Sequence, residues 1–128
     1  YRLQTKGIGP ALRHTITRFL NAILLPGIML VITCPAAASE QLFLENCAVC
    51  HQRDGTGIPK VYPSLATSEV VRGSAVDMAL VMLVGRGEMP SFKGALSSAD
   101  MASIINYVRG TIAQASGTID AAKIDSLD

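Results

Sequence analysis

Apolar residues recur at helical spacing in three segments of the chain, which cover residues 39–46, 74–84 and 97–110. In each segment the apolar positions lie three or four residues apart, so one face of a helix would be apolar. No two neighbouring segments alternate apolar and polar residues in the way a β-hairpin does. The pattern therefore predicts an all-α fold with three main helices.

Residues that favour helix ends frame these segments. Ser39, Ser74 and Ser97 stand before the first apolar positions, where a serine hydroxyl can cap the amino end of a helix. Gly85 and Gly110 stand where the second and third patterns stop, and glycine commonly ends a helix. We therefore expect helices that begin at the three serines and end at Asn46, Gly85 and Gly110.

The stretches between and after the helices are rich in residues that interrupt regular structure. Residues 52–67 contain Gly55, Gly57, Pro59 and Pro63, which predicts an irregular loop. Residues 85–94 predict a second irregular loop. Loops this long in a small domain usually hold a ligand. Residues 111–128 are weakly patterned and predict a C-terminal tail, with a short helical turn between residues 120 and 127.

The first 38 residues have the composition of an export signal. A basic stretch over residues 1–18 precedes a sixteen-residue apolar run, Phe19–Cys34, and small residues lead to Ala38. This order is typical of a secretory signal peptide, with cleavage expected after Ala38. The basic stretch is long, so the true start of the leader is expected inside it. An uncleaved membrane anchor and lipid attachment at Cys34 are the alternatives.

Charge and aromatic content narrow the functional classes. Residues 39–128 carry seven basic and ten acidic side chains, a net charge of −3, although the whole chain has +1. A surface with this charge does not favour a polyanion, so nucleic-acid binding is disfavoured. The chain has no Trp and only three Tyr and three Phe. A core so poor in aromatic rings would benefit from a large apolar ligand.

One pentapeptide carries the chemistry: Cys47-Ala48-Val49-Cys50-His51 matches the attachment motif for c-type haem. Two thiols one helical turn apart can each add to a vinyl group of a porphyrin, and the adjacent imidazole can then ligate the iron. A structural zinc site needs four ligands, whereas Cys47, Cys50 and His51 are the only cysteines and histidine after residue 38, so a zinc site is disfavoured. A thioredoxin-like pair needs a βαβ setting, which the pattern lacks. A simple disulfide would leave His51 without a role.

Met89 is the candidate for the sixth iron ligand. It lies in the second loop before Pro90, which restricts Met89 to an extended backbone. Met78, Met82 and Met101 lie within helical patterns and are expected to pack in the core. A His/Met pair raises the reduction potential and leaves no iron position for an exogenous ligand. This ligand pair therefore favours electron transfer over catalysis.

The order of elements resembles the class I c-type cytochromes over residues 39–110. The strings that carry the resemblance are LFLENCAVCH, YPSLA, GRGEMPSF and LSSADMASIINYVRG. The resemblance implies a cytochrome c fold, with three main helices and long loops around one covalently bound haem. It also implies that the first and third helices cross near the haem edge, with Phe43 and Tyr107 as contacts.

The resemblance further implies roles for residues of the first loop. A proline carbonyl, from either Pro59 or Pro63, would accept a hydrogen bond from His51. Tyr62 and Leu65 could line the pocket. Three arginines could reach a haem propionate, although each can equally be a solvated surface charge: Arg53, Arg72 and Arg86.

The function expected from these features is that of a periplasmic monohaem electron carrier and not of an enzyme. The resemblance implies a redox protein as the donor, such as a quinoprotein or molybdenum dehydrogenase, and a cytochrome or oxidase as the acceptor. The carrier would associate with the membrane if its leader were retained. The alternative is a haem enzyme, or a gas or redox sensor, with a labile sixth ligand.

Overall fold

The computed structural model of the protein describes residues 35–128, in which helices alternate with irregular loops. The helices are α1 (Pro35–Asn46), α2 (Ala48–His51), α3 (Glu69–Arg72), α4 (Ala75–Val84), α5 (Ser98–Tyr107) and α6 (Ala121–Asp125). Between residues 35 and 128 the only β-type pairings are three isolated bridges. The predicted all-α class with three main helices (α1, α4 and α5) is thus confirmed.

The predicted leader falls almost wholly outside the described residues. Its last four residues, 35–38, form the first turn of α1. The basic stretch, the apolar run and Cys34 lie outside the described part, as do the anchor and lipidation alternatives. In the part of the chain that is described, no helix has the length and apolar character needed to cross a membrane.

Helix α1 crosses α5, and an aromatic pair marks the crossing. The Phe43 ring lies 5.6 Å from the Tyr107 ring between centroids, and Phe43 is fully buried. The predicted contact between these two helices is confirmed. The prediction that Ser39 caps α1 is wrong, because Ser39 lies inside the helix. Three alanines precede it, and alanine is the strongest helix former, so the helix begins earlier.

The other two serine caps are confirmed. The Ser74 hydroxyl accepts a hydrogen bond from the backbone N–H of Val76 (3.1 Å) and begins α4. The Ser97 hydroxyl accepts one from the N–H of Asp100 (3.1 Å) and begins α5. These bonds satisfy backbone donors that a helix start leaves unpaired. Gly85 ends α4 as predicted, with a φ of +81°.

The third helix does not end at Gly110 as its pattern suggests. A π-helical turn, Val108–Ile112, continues α5 through Gly110, with the Ala113 N–H donating to the Val108 carbonyl (2.9 Å). Gly110 therefore lies within the turn instead of ending the helix. The wider turn leaves both Val108 and Arg109 buried.

The C-terminal segment packs against α5 despite its weak pattern. Ile119 and Ile124 are buried, and the Asn106 amide bonds both the N–H and the carbonyl of Ile119, each at 2.9 Å. Asp120 caps α6 by accepting from the Lys123 N–H (2.8 Å), which confirms the predicted helical turn. Residues 113–128 thus contribute to the same hydrophobic core as the three main helices.

Two single-turn helices complete the described part, and the hydrophobic pattern predicted neither. Helix α2 contains most of the Cys-x-x-Cys-His motif, and Cys47 begins it. Helix α3 begins after Ser68, whose hydroxyl accepts from the Val71 N–H (3.4 Å). Four residues are too few to show a helical period, so such turns escape pattern analysis.

Candidate functional site

A cavity of about 540 Å³ lies among α2, α3, α4 and the two irregular loops. Its size falls within the range of about 300–1,000 Å³ that is usual for cofactor sites. The six residues proposed as haem attachment sites, iron ligands or pocket lining all line it: Cys47, Cys50, His51, Tyr62, Leu65 and Met89. Folding therefore brings together residues that are up to 42 positions apart in the chain.

The two cysteines occupy one wall of the cavity, because α2 places them one helical turn apart. Both are half-buried free thiols. Burial raises the pKa of the Cys47 thiol to about 11, and the neighbouring Cys50 adds to this rise. The Cys47 side chain is therefore protonated at neutral pH. The net addition of a thiol to a vinyl group places sulfur on one carbon and hydrogen on the other, so each cysteine could form one thioether.

His51 is buried at the end of the same turn and is oriented by a hydrogen bond. Its Nδ1 lies 3.0 Å from the carbonyl oxygen of Pro63. A carbonyl only accepts, so Nδ1 carries the proton and Nε2 is left with a lone pair for a metal. The structure thus selects Pro63 over Pro59. Such a bond sets the ring orientation and increases the basicity of a ligating imidazole.

Gly57 lies between the two partners of that bond along the chain, and the sequence marked it only as one of the residues of an irregular loop. Its N–H donates to the His51 carbonyl at 2.9 Å, and its φ is +69°. A Cβ at residue 57 would lie 2.4 Å from the Tyr62 carbonyl oxygen and 2.6 Å from that of Pro63. A side chain does not fit there unless the Pro63 carbonyl moves. The available signal was the glycine itself, in a loop that follows the ligand.

Met89 reaches the cavity from the second loop. Its N–H donates to the Arg86 carbonyl (3.1 Å) and its own carbonyl accepts from the Arg86 N–H (2.9 Å), which closes a tight turn. Gly85 lies against this turn with a φ of +81°, and a Cβ there would lie 2.8 Å from the Met89 carbonyl oxygen. Met89 is half-buried and packs against the core.

Helix α4 adds two more thioethers to the cavity wall. Met78 and Met82 are buried in the core, as predicted, and they also line the cavity. Met101 is buried and does not line it. The sequence thus identified the packing role of α4 but not its second role as a cavity wall. Its two buried methionines fulfil both roles because the cavity lies directly against the core.

Most of the remaining lining is apolar. Sequence reasoning had not assigned these residues to a pocket: Val49, Val61, Val70, Val71, Val81, Phe92, Ile104 and Val108. Of the three candidate arginines, only Arg86 lines the cavity, together with Glu88 from the same turn. Apolar walls with two thiols, one oriented imidazole and nearby thioethers fit a covalently held porphyrin, whose faces are apolar and whose iron accepts nitrogen and sulfur ligands.

Comparison with known proteins identifies the family. Residues 35–108 match the family described as cytochrome c oxidase, cbb3-type, subunit III. The match runs from the start of α1 to the first residue of the π-helical turn. It therefore includes the cysteine motif, both loops and all the residues that line the cavity.

Individual relatives agree with this match. The chain is 35% identical over 103 residues to the cytochrome c subunit of a quinone alcohol dehydrogenase from Gluconobacter oxydans, covering 70% of the chain and 22% of the relative. It is 36% identical over 75 residues to cytochrome c6 of Leptolyngbya boryana, covering 57% and 88%. It is 35% identical over 78 residues to the cbb3-type oxidase subunit CcoP of Cereibacter sphaeroides, covering 59% and 27%.

The extent of these matches differs between relatives. The chain spans about a fifth of the length of the alcohol dehydrogenase subunits that it matches, but most of the length of the cytochrome c6 proteins. The matched segments of the three relatives named above are 75 to 103 residues long, which is the size of one small domain. The protein belongs to this family of class I c-type cytochromes, which bind haem c covalently and carry electrons.

Proposed function

We propose that the protein is a periplasmic electron carrier in which His51 and Met89 ligate the haem iron and Cys47 and Cys50 form the thioethers. The observation that carries this proposal is that one cavity is lined by both thiols, the oriented imidazole and the Met89 side chain. Bound haem would supply a one-electron couple between ferrous and ferric iron.

The chain's own residues would hold that couple in place. The two thioethers would prevent loss of the group. The Pro63 carbonyl would hold the His51 ring at a fixed angle and raise its donor strength. The apolar walls would exclude water, which favours the state of the iron with less net charge. Arg86 is the arginine available to a propionate.

Met89 is a better candidate for the second axial ligand than Met78 or Met82. The latter two are 8% and 2% exposed and are held by the packing of α4 in the core. Met89 lies on a loop whose turn is closed by backbone hydrogen bonds, and its side chain is only half-buried against the core, so its movement onto the iron would disturb the packing less. A flexible thioether on a fixed turn can adjust to the iron.

The spectrum of the purified holoprotein tests the ligand assignment. We expect a thioether-to-iron(III) charge-transfer band at the red end of the visible spectrum, and no binding of CO to the ferrous protein. Met89→Leu should abolish the band and permit CO binding. Met101→Leu changes a buried methionine outside the cavity and should retain the band.

Two results would contradict the assignment. If Met89→Leu kept the band while Met78→Leu or Met82→Leu lost it, the ligand would lie on α4. If the unmodified ferrous protein bound CO readily, the sixth position would be labile, and a haem enzyme or gas sensor would be favoured.

We further propose a dehydrogenase as the electron donor and a cytochrome or terminal oxidase as the acceptor. The similarity to a cytochrome subunit of alcohol dehydrogenase supports the donor, and the similarity to an oxidase subunit supports the acceptor. Stopped-flow mixing of the ferric protein with a purified quinone-dependent alcohol dehydrogenase and ethanol should give rapid reduction. Reduction by dithionite but by no dehydrogenase would reject this donor class.

Export is the remaining part of the proposal and rests on the predicted leader. Mass spectrometry of the protein recovered from the periplasm should show a chain that begins at Ser39. A chain that retains the preceding residues and sediments with membranes would instead support the anchored form. Recovery in the cytoplasm alone would reject export.

A further inference from the structure

Arg109 is a buried cation that does not line the cavity and has no role in the proposed electron-carrying site. It lies in the π-helical turn and is 3% exposed. Its Nε donates to the Gly117 carbonyl (3.2 Å), its Nη1 to the carbonyls of Gly73 (2.9 Å) and Val71, and its Nη2 to that of Ser116. All four acceptors are neutral backbone oxygens.

No carboxylate among residues 35–128 forms a salt bridge with Arg109. The salt bridge found among residues 35–128 joins Lys93 to Asp128 (2.6 Å), and it does not involve Arg109. Burying a charge is costly unless it is both paired and hydrogen-bonded. Here carbonyl dipoles stabilise the guanidinium but do not cancel its charge. A net positive charge therefore remains inside the protein.

This charge lies directly behind the cavity wall. The side chains of Val71 and Val108 both line the cavity. Arg109 follows Val108 in the chain and binds the carbonyl of Val71. The guanidinium is therefore hydrogen-bonded to the backbone of a residue that lines the cavity. The effective dielectric constant is lower inside a protein than in water, so a charge at this position acts strongly on a neighbouring site.

The same side chain joins two distant parts of the chain. Val71 and Gly73 lie at the end of α3, 38 and 36 positions before Arg109, whereas Ser116 and Gly117 belong to the C-terminal segment. Arg109 thus attaches residues 116–117, which lie outside the family match, to the wall of the haem pocket. The planar guanidinium donates in several fixed directions, which lysine cannot reproduce.

We propose that Arg109 is a positioning residue of the haem pocket: it holds the Val71 wall against the C-terminal segment, and its uncompensated charge favours the ferrous iron. This inference rests on the proposed function to the extent that the cavity holds the haem. The charge effect has a definite sign. Ferric haem carries one more positive charge than ferrous haem, so a nearby cation destabilises the ferric form and raises the reduction potential.

Three variants separate the charge from the hydrogen bonds. Arg109→Met removes both, Arg109→Lys keeps the charge but loses most of the carbonyl bonds, and Arg72→Met removes an exposed charge next to Val71. Two measurements are needed: the reduction potential from a redox titration, and the NMR shifts of the Val71 methyl groups in the ferric protein. Those shifts depend on the position of Val71 relative to the paramagnetic iron.

We expect Arg109→Met to move the ferrous–ferric equilibrium towards ferric by about tenfold, which is about 59 mV for a one-electron couple. Arg72→Met should change it by less than about twofold, because solvent and salt screen an exposed charge. Arg109→Lys should lower the potential less than Arg109→Met does. Both Arg109 variants should shift the Val71 methyl resonances, and Arg72→Met should not.

An Arg109→Met holoprotein with the wild-type potential would refute the electrostatic part. Unchanged Val71 resonances in both Arg109 variants would refute the positioning part. If Arg109→Met does not fold, Arg109→Lys decides: wild-type methyl shifts there would overturn the proposal. The thioether band of the unmodified protein tests the Met89 assignment, whereas the potential and the Val71 resonances of the Arg109 variants test the role of Arg109. Failure of the ligand assignment and failure of the Arg109 proposal therefore give different results.

Discussion

The two irregular loops that border the cavity hold their candidate ligands in different ways. The loop of residues 52–67 anchors the side chain of the preceding ligand, because its Pro63 carbonyl accepts a hydrogen bond from the His51 ring. In residues 85–94 the anchoring is through the backbone: Met89 and Arg86 exchange two hydrogen bonds, and the Phe92 N–H donates to the Met82 carbonyl (2.8 Å).

The difference follows from the chemistry of the two side chains. An imidazole ligates through one nitrogen in a fixed plane, so its second nitrogen must be held to set the angle of the ring. A thioether has three rotatable bonds and adapts to the metal. A methionine ligand therefore needs only a turn that holds its Cα within reach of the metal. Each loop has one glycine at the critical position: Gly57 on the histidine side and Gly85 on the methionine side.

The largest effect is expected from Gly57→Ala. The new Cβ would meet the Tyr62 and Pro63 carbonyl oxygens at 2.4 and 2.6 Å, so the acceptor of the His51 bond must move. We expect a loss of about 3 kcal/mol in the free energy of unfolding, a lower potential and altered His51 ring resonances. Denaturant unfolding, redox titration and NMR measure the three.

Gly94→Ala is the matched control for this variant. Residue 94 has a similar φ of +74°, but nothing lies within 4 Å of its Cβ position. Its cost should therefore be only the left-handed strain, about 1–2 kcal/mol. Equal losses in the two variants would show that backbone strain, and not the displaced carbonyl, explains the result.

A smaller effect is expected from Gly85→Ala, because the closest approach is 2.8 Å to the Met89 carbonyl oxygen. The turn would shift, and the flexible thioether would compensate in part. We expect a weakened thioether charge-transfer band with the His51 resonances unchanged. Gly87→Ala, in the same turn and with open space at its Cβ position, should keep the full band. Changed His51 resonances in Gly85→Ala would mean that the loops are not independent.

The smallest effect is expected at the exposed end of the histidine-side loop. Two hydrogen bonds, from the Thr56 hydroxyl (2.7 Å) and the Thr56 N–H (3.1 Å), lower the pKa of Asp54. The ionised carboxylate thus stabilises the folded state above its ordinary pKa of 3.8, and this contribution is lost as the pH falls through the lowered value.

When the pH is lowered below about 4, Asp54→Asn should therefore lose less stability than the wild type. The loss in Thr56→Val should lie between the losses of these two proteins. Thermal unfolding at a series of pH values provides the measurement. The spectrum of the haem should stay the same in both variants. An acid sensitivity identical to that of the wild type would show that this turn does not contribute to stability.

Local signals explain what could be predicted from the sequence. The Cys47–His51 motif works within one helical turn, so its chemistry can be recognised without the rest of the fold. The caps at Ser74 and Ser97 bind N–H groups two or three residues away. Ser39 shows the limit of the same reasoning, because a capping residue does not begin a helix when stronger helix formers precede it.

Signals that depend on distant contacts could not be predicted in the same way. The sequence does not distinguish Pro59 from Pro63 as the acceptor for His51, because only the path of the loop brings the Pro63 carbonyl to the ring. The partners of Arg109 are backbone carbonyls from segments that its own helical pattern does not indicate. Every residue has a carbonyl, so no spacing of side chains marks the ones that will serve as acceptors.

The sequence alone determined the helical class, the covalent attachment motif and the candidate pair of axial ligands. Each of these depends on residue types within a few positions, or on the one methionine of residues 39–128 that was predicted to lie in a loop. The tertiary structure alone decided which carbonyl orients His51, that α4 supplies a cavity wall, and that a buried arginine lies behind Val71. These features depend on contacts between residues that are distant in the sequence, and the packing of the whole core determines those contacts.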